Sequence, residues 1–365
     1  MKAAVCFKPN ERLEVTELQQ QGPQAGEVRV KVKAAGICHS DWHIMNGDWT
    51  PPLPMVLGHE AAGVIAELGA GVSNVKVGDH VIFSFRTHCG RCLYCSSGRT
   101  VLCDGYTSAR WAMLDGTNRL TLPDGQPVNQ MARIGTFSES VVCAAEMVVP
   151  VRTDMPWPQA ALVGCCVPTG VGAVTRCAKV ESGATVLVIG CGGVGLNVLQ
   201  GAKLAGASKI IAVDLIDKKL EFAREFGATH LVNAKKENPV DVARSLTAGR
   251  GVDYAFDAIG GEQTTLQIVD AIRPGGTAVI VGMAALATRA PVTPYFFALQ
   301  EKTLTGTMYG SVRPNLDFPW LCDQYKEGKL KIDELVSRTW TLDQINEGFQ
   351  DLRGGNVKRG VVVFD

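Results

Sequence analysis

Apolar residues recur along this chain in two different rhythms. Up to about residue 150 they form short runs broken by glycine, at 3–7, 27–34, 61–68, 80–84 and 138–143. Such spacing predicts an all-β, barrel-like domain. The rhythm lapses between Cys89 and Gly135. A segment that long without regular structure is ordinarily functional or held by something other than packing. Residues 150–158 read as a connector, and 159–167 resume an apolar pattern. From Thr185, strand-like runs (185–189, 209–213, 230–232, 253–256, 277–281, 303–307) alternate with helix-like segments (194–204, 218–226, 240–246, 262–272). That alternation predicts a doubly wound parallel sheet, its ligand crevice at the carboxyl ends of the strands. Beyond about Tyr309 the pattern is mixed, and it closes on a strand at 360–364.

At the head of the alternating half, the β-branched run 185–189 leads into Gly190-Cys191-Gly192-Gly193-Val194-Gly195, a G-x-G-x-x-G turn opening a helix. Each glycine has its own reason: Gly190 for the tight turn, Gly192 for close approach of a pyrophosphate, Gly195 for helix–strand packing. The free N–H groups of that helix start, at Gly193, Val194 and Gly195, favour an anion. About 20 residues on, the second strand ends at Asp214, placed to accept ribose hydroxyls and to repel a 2′-phosphate. A dinucleotide site preferring NAD to NADP is expected.

Composition narrows the classes. The 365 residues suit two domains, with 46% hydrophobic and 20% charged residues and a formal net charge of zero. No basic excess points to nucleic acid. No apolar run approaches a membrane span, and the first residues lack a signal-peptide core. A cytoplasmic location is expected, with no membrane partner. Twelve cysteines in such a setting are expected to be reduced, and clustered ones suggest metal.

Cys89, Cys92 and Cys95 form two overlapping C-x-x-C units, and Cys103 follows. Four soft ligands fill a tetrahedral zinc site and leave no open position, so a structural zinc is expected. A redox C-x-x-C or a nucleic-acid-binding zinc module are the alternatives. A second constellation is dispersed: Cys38-His39-Ser40-Asp41-Trp42-His43, then His59-Glu60, then Cys165-Cys166. Spacing alone leaves packing and metal ligation both open. Ligation by one or two thiolates and an imidazole would leave a position for substrate, with Asp41 and Glu60 fixing a histidine tautomer.

Together these motifs, with Asp115-Gly-Thr117 and Ile345-Asn-Glu-Gly-Phe349, resemble the zinc-dependent medium-chain alcohol dehydrogenases over essentially the whole chain. The stretch from Cys103 to Gly135 resembles the longer loop of the animal-type and formaldehyde-dehydrogenase-like branch. The resemblance implies an α/β chain with a GroES-like β-barrel catalytic domain (1–166 and 309–365) and a Rossmann NAD-binding domain (167–308). It implies two zinc ions: a catalytic one on Cys38, His59 and Cys165, and a structural one on Cys89, Cys92, Cys95 and Cys103. Ser40 and His43 become a proton relay, Ser40 bonding the substrate oxygen, and Asp41 and Glu60 the carboxylates behind the zinc ligands. His39 and Arg359 meet the pyrophosphate, Thr169 lies near the nicotinamide and Lys219 near the adenosine ribose. A histidine, with an unperturbed pKa of about 6.5, suits a relay to solvent.

The resemblance also puts Trp49, Phe85, Met283 and Met308 around the substrate, favouring a hydrophobic primary alcohol, aromatic or medium-chain. A thiol-adduct formaldehyde dehydrogenase and a secondary-alcohol dehydrogenase are alternatives within the family. A zinc-free quinone or enoyl reductase would lack Cys38, His59 and the cysteine loop. A non-enzymatic zinc-dependent redox sensor or binding protein would need no serine–histidine relay. A homodimer is expected, joined through edge strands near 303–307.

Overall fold

The computed structural model describes residues 1–106 and 111–365; part of the long loop expected between Cys103 and Gly135 therefore lies outside the described residues. These residues divide into two units, Met1–Cys165 with Arg313–Asp365, and Cys166–Val312. No described helix is long and apolar enough to cross a membrane.

The first unit is built on the strand Glu27–Ile37, whose Val28, Val30 and Val32 are wholly buried. It pairs antiparallel with Ala61–Leu68, Ser140–Ala144 and Arg359–Val363. The last of these comes from the far end of the chain, so this seven-stranded sheet closes only with the C-terminal residues. A second sheet of six strands holds Lys2–Cys6, Glu14–Glu17, Met55–Val56 and three other short strands. Phe83, Phe137, Trp340 and Phe349 fill the core. The glycine-broken runs of the first 150 residues all fall on strands, and the barrel reading holds.

Two features near the site are not expected from pattern. Glu27–Ile37 runs past 34, because Ala34, Ala35 and Ile37 are also buried, and so delivers the chain to Cys38. There a short helix, His39–Met45, begins. Its first turn is fixed by Asp41, whose Oδ2 accepts the Cys38 N–H at 3.1 Å. Where patterning lapses, the described part of the loop carries a helical turn, Leu93–Ser96, and short strands, Leu120–Thr121 and Pro127–Gln130. Arg119 holds it down. Its guanidinium is 1% exposed and forks onto Glu27 at 2.7 and 2.9 Å, while Asp115 accepts at 2.7 Å.

The second unit is one six-stranded parallel sheet, in the order His230–Asn233, Lys209–Asp214, Thr185–Ile189, Val252–Asp257, Ile272–Ile280, Thr303–Gly306. The strand that comes first in sequence, Thr185–Ile189, lies inside and the order reverses beside it, as in a doubly wound fold. Leu187, Ile211, Val213 and Ala255 are fully buried, as near-continuous apolar strands covered on both faces should be. Cys166 and residues 309–312, expected with the barrel, belong to this unit. The turn Tyr309–Ser311 lies against the helix Cys166–Gly172, with Gly310 at φ +65° and the Gly310 carbonyl 2.5 Å from where a Gly172 Cβ would stand.

Candidate active site

Three donors converge in the first unit. The ligand atoms of Cys38, His59 and Cys165 lie within 4.8 Å of one another, all buried. Each arrives from a different local cause. Cys38 ends the central strand, His59 follows Gly58 in a left-handed turn (φ +94°), and Cys165 follows the helix Trp157–Leu162. A side chain at Gly58 would stand 2.6 Å from Thr136 Oγ1 and 2.7 Å from the Phe137 nitrogen, so the turn needs glycine.

Asp41 organises the cluster. Fully buried, it accepts from the Gly58 N–H at 2.9 Å and lies 3.2 Å from His59 Nδ1, besides bonding Cys38 N. A proton on Nδ1 leaves Nε2, 3.4 Å from Cys165 Sγ, as the ligating atom. The Cys38 thiol is held well below its ordinary range, chiefly by its hydrogen bond with Cys165, against burial, with His59 and Arg359 adding to it. Burial works against charge on His59, but Asp41 and Cys38 outweigh it and push the imidazole up to about 10, so a metal that binds there displaces the Nε2 proton. Two thiols and one oriented imidazole, one thiol already favouring its anion, are the donor set of an open zinc site.

Arg359 is 3% exposed and its guanidinium bonds the fully buried Glu60 carboxylate. The structure thus sets this arginine, expected at a pyrophosphate, on a carboxylate beside the cluster. A Cβ on Gly36 would meet Glu60 Oε2 at 2.5 Å, so glycine is what lets that carboxylate in. His39 is exposed at the head of its helix.

Ser40 Oγ lies 3.9 Å from Cys38 Sγ, on the turn that presents the thiol. His43, half-buried, contacts Asp48 Oδ2 through Nδ1 at 2.9 Å, and its ring stacks on Trp49 with centroids 4.9 Å apart. That bond is also the main reason the Asp48 carboxyl sits below its usual range. Sequence reasoning passed over Asp48, because an exposed acid in a turn carries no distinguishing pattern. Phe85 meets His59 edge-on at 5.4 Å. Two of the four expected substrate residues therefore lie against the site histidines. Met283, 53% exposed, and the half-buried Met308 belong to the second unit.

The second metal cluster is as expected from its spacing: Cys89, Cys92, Cys95 and Cys103 bring their sulfurs within 4.8 Å. Backbone N–H groups point at them, Cys92 N at Cys89 Sγ and Cys95 N at Cys92 Sγ, both at 3.4 Å, and Cys89 N at Cys103 Sγ at 3.3 Å. Such donors favour thiolates, and they bring Cys92 down to about 6. None of the twelve cysteines is in a disulfide.

In the second unit, Gly190 turns at φ +95°, and a Cβ there would stand 2.6 Å from Ile259 Cγ1. A Cβ on Gly195 would fall on the Gly190 carbonyl, whereas Gly192 faces open space. No side chain caps the helix Gly193–Leu204, so its first amides are left for an anion. Asp214 binds the turn as well as facing it. Oδ2 accepts from Cys191 N at 2.9 Å and Oδ1 from Leu215 N and Ile216 N at 2.8 and 3.1 Å. Of about four acceptor positions on a carboxylate, one on Oδ2 is left for a ribose hydroxyl. Lys219, on the helix Asp217–Glu225, and Thr169, on Cys166–Gly172, are half-buried.

The turn has a further organiser that sequence reasoning missed. Asp257 is fully buried at its strand end and accepts from Ile259 N, Gly260 N, Thr264 Oγ1 and Thr265 Oγ1 at 2.8–3.1 Å. It thereby fixes the segment that lies on Gly190. An acid ending a strand opposite two threonines was the available signal.

Comparison with known proteins agrees with this geometry. Residues 24–153 match the family model described as alcohol dehydrogenase GroES-like domain, and 193–327 that described as zinc-binding dehydrogenase. The chain is 42% identical over 369 residues to the NDMA-dependent alcohol dehydrogenase of Amycolatopsis methanolica, covering 99% of this chain and 98% of that protein. It is 40% identical over 373 residues to the S-(hydroxymethyl)glutathione dehydrogenase of Paracoccus denitrificans, covering 100% and 99%. Among solved structures it is similar to the benzyl alcohol dehydrogenase of Acinetobacter calcoaceticus, at a TM-score of 0.94 and 33% identity, covering 100% and 99%.

Proposed function

The chain belongs to the zinc-dependent alcohol dehydrogenases, and we propose that within them it oxidises a hydrophobic primary alcohol to the aldehyde with NAD as hydride acceptor. On this reading the first unit is the catalytic domain and the second the cofactor domain. The observation that carries it is the buried trio Cys38, His59 and Cys165, a three-donor site in the same unit as a separate four-cysteine site.

A zinc ion on the trio would supply a Lewis acid that makes an alcohol hydroxyl acidic near neutrality. The nicotinamide supplies the hydride acceptor. The chain's residues do the rest. Ser40, beside Cys38, takes the hydroxyl proton, and His43 passes it to solvent, held at Nδ1 by Asp48 so that Nε2 is the atom that exchanges it. Asp41 keeps His59 in the ligating tautomer. Trp49 and Phe85 present apolar faces next to the two histidines, which suits an aromatic or medium-chain alcohol. Asp214 and the uncapped amides from Gly193 to Gly195 hold the nucleotide. Cys89, Cys92, Cys95 and Cys103 hold a structural zinc and pin the loop that follows.

A second reading, oxidation of a thiol adduct of formaldehyde, is favoured by relatives named S-(hydroxymethyl)glutathione dehydrogenase. Turnover across primary, secondary and aromatic alcohols, and formaldehyde with and without glutathione, each with NAD and with NDMA, separates the two. Faster turnover of the glutathione adduct than of any alcohol removes the first reading. Metal analysis should find two zinc ions per chain, and Cys38→Ser should lose one of them and alcohol oxidation together while circular dichroism is unchanged. The strand Thr303–Gly306 ends its sheet, and Tyr295, Phe296 and Leu299 are exposed just before it. A homodimer joined there should show twice the chain mass by light scattering. The free cysteines suit a reducing cytoplasm.

A further inference from the structure

Away from the metal trio, the first unit holds a cavity of about 380 Å³ between the helix His39–Met45 and the helix Ile345–Arg353, floored by residues 10–12. Its charge is unbalanced. Arg12, Arg353 and one acid, Glu11, line it, and among the described residues neither arginine has a carboxylate partner. Three other guanidinium groups of this unit are matched, Arg29 with Glu67, Arg119 with Glu27 and Arg338 with Asp351. Glu11 on the wall is paired with Lys8 at 3.8 Å, and the acids nearest in sequence are committed elsewhere, Asp351 to Arg338 at 3.1 Å and Asp48 to His43 at 2.9 Å.

The walls are preset. Asn346 exchanges two hydrogen bonds with the backbone of Leu13, at 3.0 and 2.9 Å, which ties the floor to one helix. Asn10, in a left-handed turn at φ +63°, donates its N–H to the Met45 carbonyl at 2.6 Å, which ties it to the other. Arg353 lies over the Trp42 ring, 4.3 Å from its centroid. Stacking on an indole leaves a guanidinium's edge donors free and restricts its orientations, which is how an arginine is made ready for an oxyanion. Gln350 also lines the cavity.

We propose that this cavity is a binding site for a small organic dianion, a phosphate monoester or a dicarboxylate, gripped by Arg12 and Arg353 with its body against Trp42. The volume exceeds what an inorganic ion fills and lies in the range of small-molecule sites. The site is distinct from the nucleotide turn, which belongs to the other unit, and does not depend on the alcohol dehydrogenase reading.

The test is isothermal titration of the zinc-loaded full chain with glycerol 3-phosphate and, separately, succinate, at constant ionic strength, with and without saturating NAD. One saturable site per chain is expected in both conditions, with binding at least about tenfold weaker in Arg12→Gln/Arg353→Gln, the loss of roughly one charge-assisted contact. Whichever probe binds tighter tells phosphate from carboxylate chemistry. Arg353→Lys keeps the charge but loses the fork and should fall between. Trp42 fluorescence should respond to the anion in the wild type and not in Trp42→Phe. No saturable heat, or an isotherm unchanged in the double variant, overturns the proposal; an unchanged isotherm abolished by NAD would place the anion on the glycine-rich turn.

Discussion

Replacing Arg119 by leucine should be among the costliest single changes in the first unit. The guanidinium is 1% exposed, donates twice to Glu27, and is shared with Asp115 and Thr117. Without it Glu27, 8% exposed, keeps a buried carboxylate whose remaining donor among the described residues is the Gln24 N–H at 2.9 Å. Breaking one side of a buried pair costs about 3–5 kcal/mol, because the other charge stays desolvated. For a unit of this size, each kcal/mol moves the melting temperature by roughly 2–4 °C, so a fall of roughly 6–20 °C follows. Glu27→Leu should cost less, since Asp115 and Thr117 still receive the guanidinium. The double variant should recover most of the loss, because two leucines leave no buried charge. Differential scanning calorimetry of the zinc-loaded wild type, both single variants and the double completes the cycle. Single variants within about 1 °C of wild type, or a double variant as low as the sum of the singles, would refute the reasoning.

Asp115 gives the same network a pH signature. Its carboxyl is held down to about 2, chiefly by the hydrogen bond from Arg119. A depressed carboxylate stabilises above its unfolded pKa of about 4 and loses that contribution as pH falls through its folded value. Asp115→Asn should therefore melt slightly below wild type at neutral pH, by a small amount given its 43% exposed side chain. The gap should close between about pH 4 and pH 2 in a melting series; a gap that widens there is incompatible. Asp214→Gly with Leu215→Arg should move the preference from NAD toward NADP and also weaken both, because Asp214 holds Cys191 N; an unchanged ratio of kcat/KM values would sink the assignment. Gly195→Ala should abolish measurable NAD binding by fluorescence titration and destabilise the second unit, since its methyl group would occupy the Gly190 carbonyl. Ser40→Ala should lower kcat by about 10²-fold or more while zinc content stays at the wild-type level; retained turnover would take Ser40 out of the relay.

Much of the architecture was legible because the second unit's strands are buried on both faces, so their apolar runs stand out without pairing information. The same logic found the barrel's longer strands. It could not find Gln19–Gln20, Met55–Val56 or Leu120–Thr121, each two residues long and defined only by the partner it pairs with. The helix His39–Met45 was hidden for another reason: its residues were accounted for by their chemistry rather than their period. The cysteine cluster was legible from spacing alone. Cys38, His59 and Cys165 were not, since what joins them is the crossing of distant elements, and only resemblance to a family singled them out. Asp48 and Asp257 act through one partner or a turn, which leaves no periodic trace, and Arg119 and Glu27 are 92 positions apart.

The pairing of Arg359–Val363 with Glu27–Ile37 sets an order of events during synthesis. Cys38, His59 and Cys165 have all left the ribosome long before the strand that seals their sheet exists. At 5–20 residues per second that interval is roughly 10–40 s. The parallel-sheet unit, contiguous from Cys166 to Val312, can complete itself within it. Through that time the edge at Gly36 and Ile37 has no partner, and Glu60 awaits the counter-ion Arg359 brings. A nascent chain stalled before residue 359 thus carries an open sheet edge beside Cys38 and lacks the arginine that pairs with Glu60, a state that invites chaperone capture or aggregation.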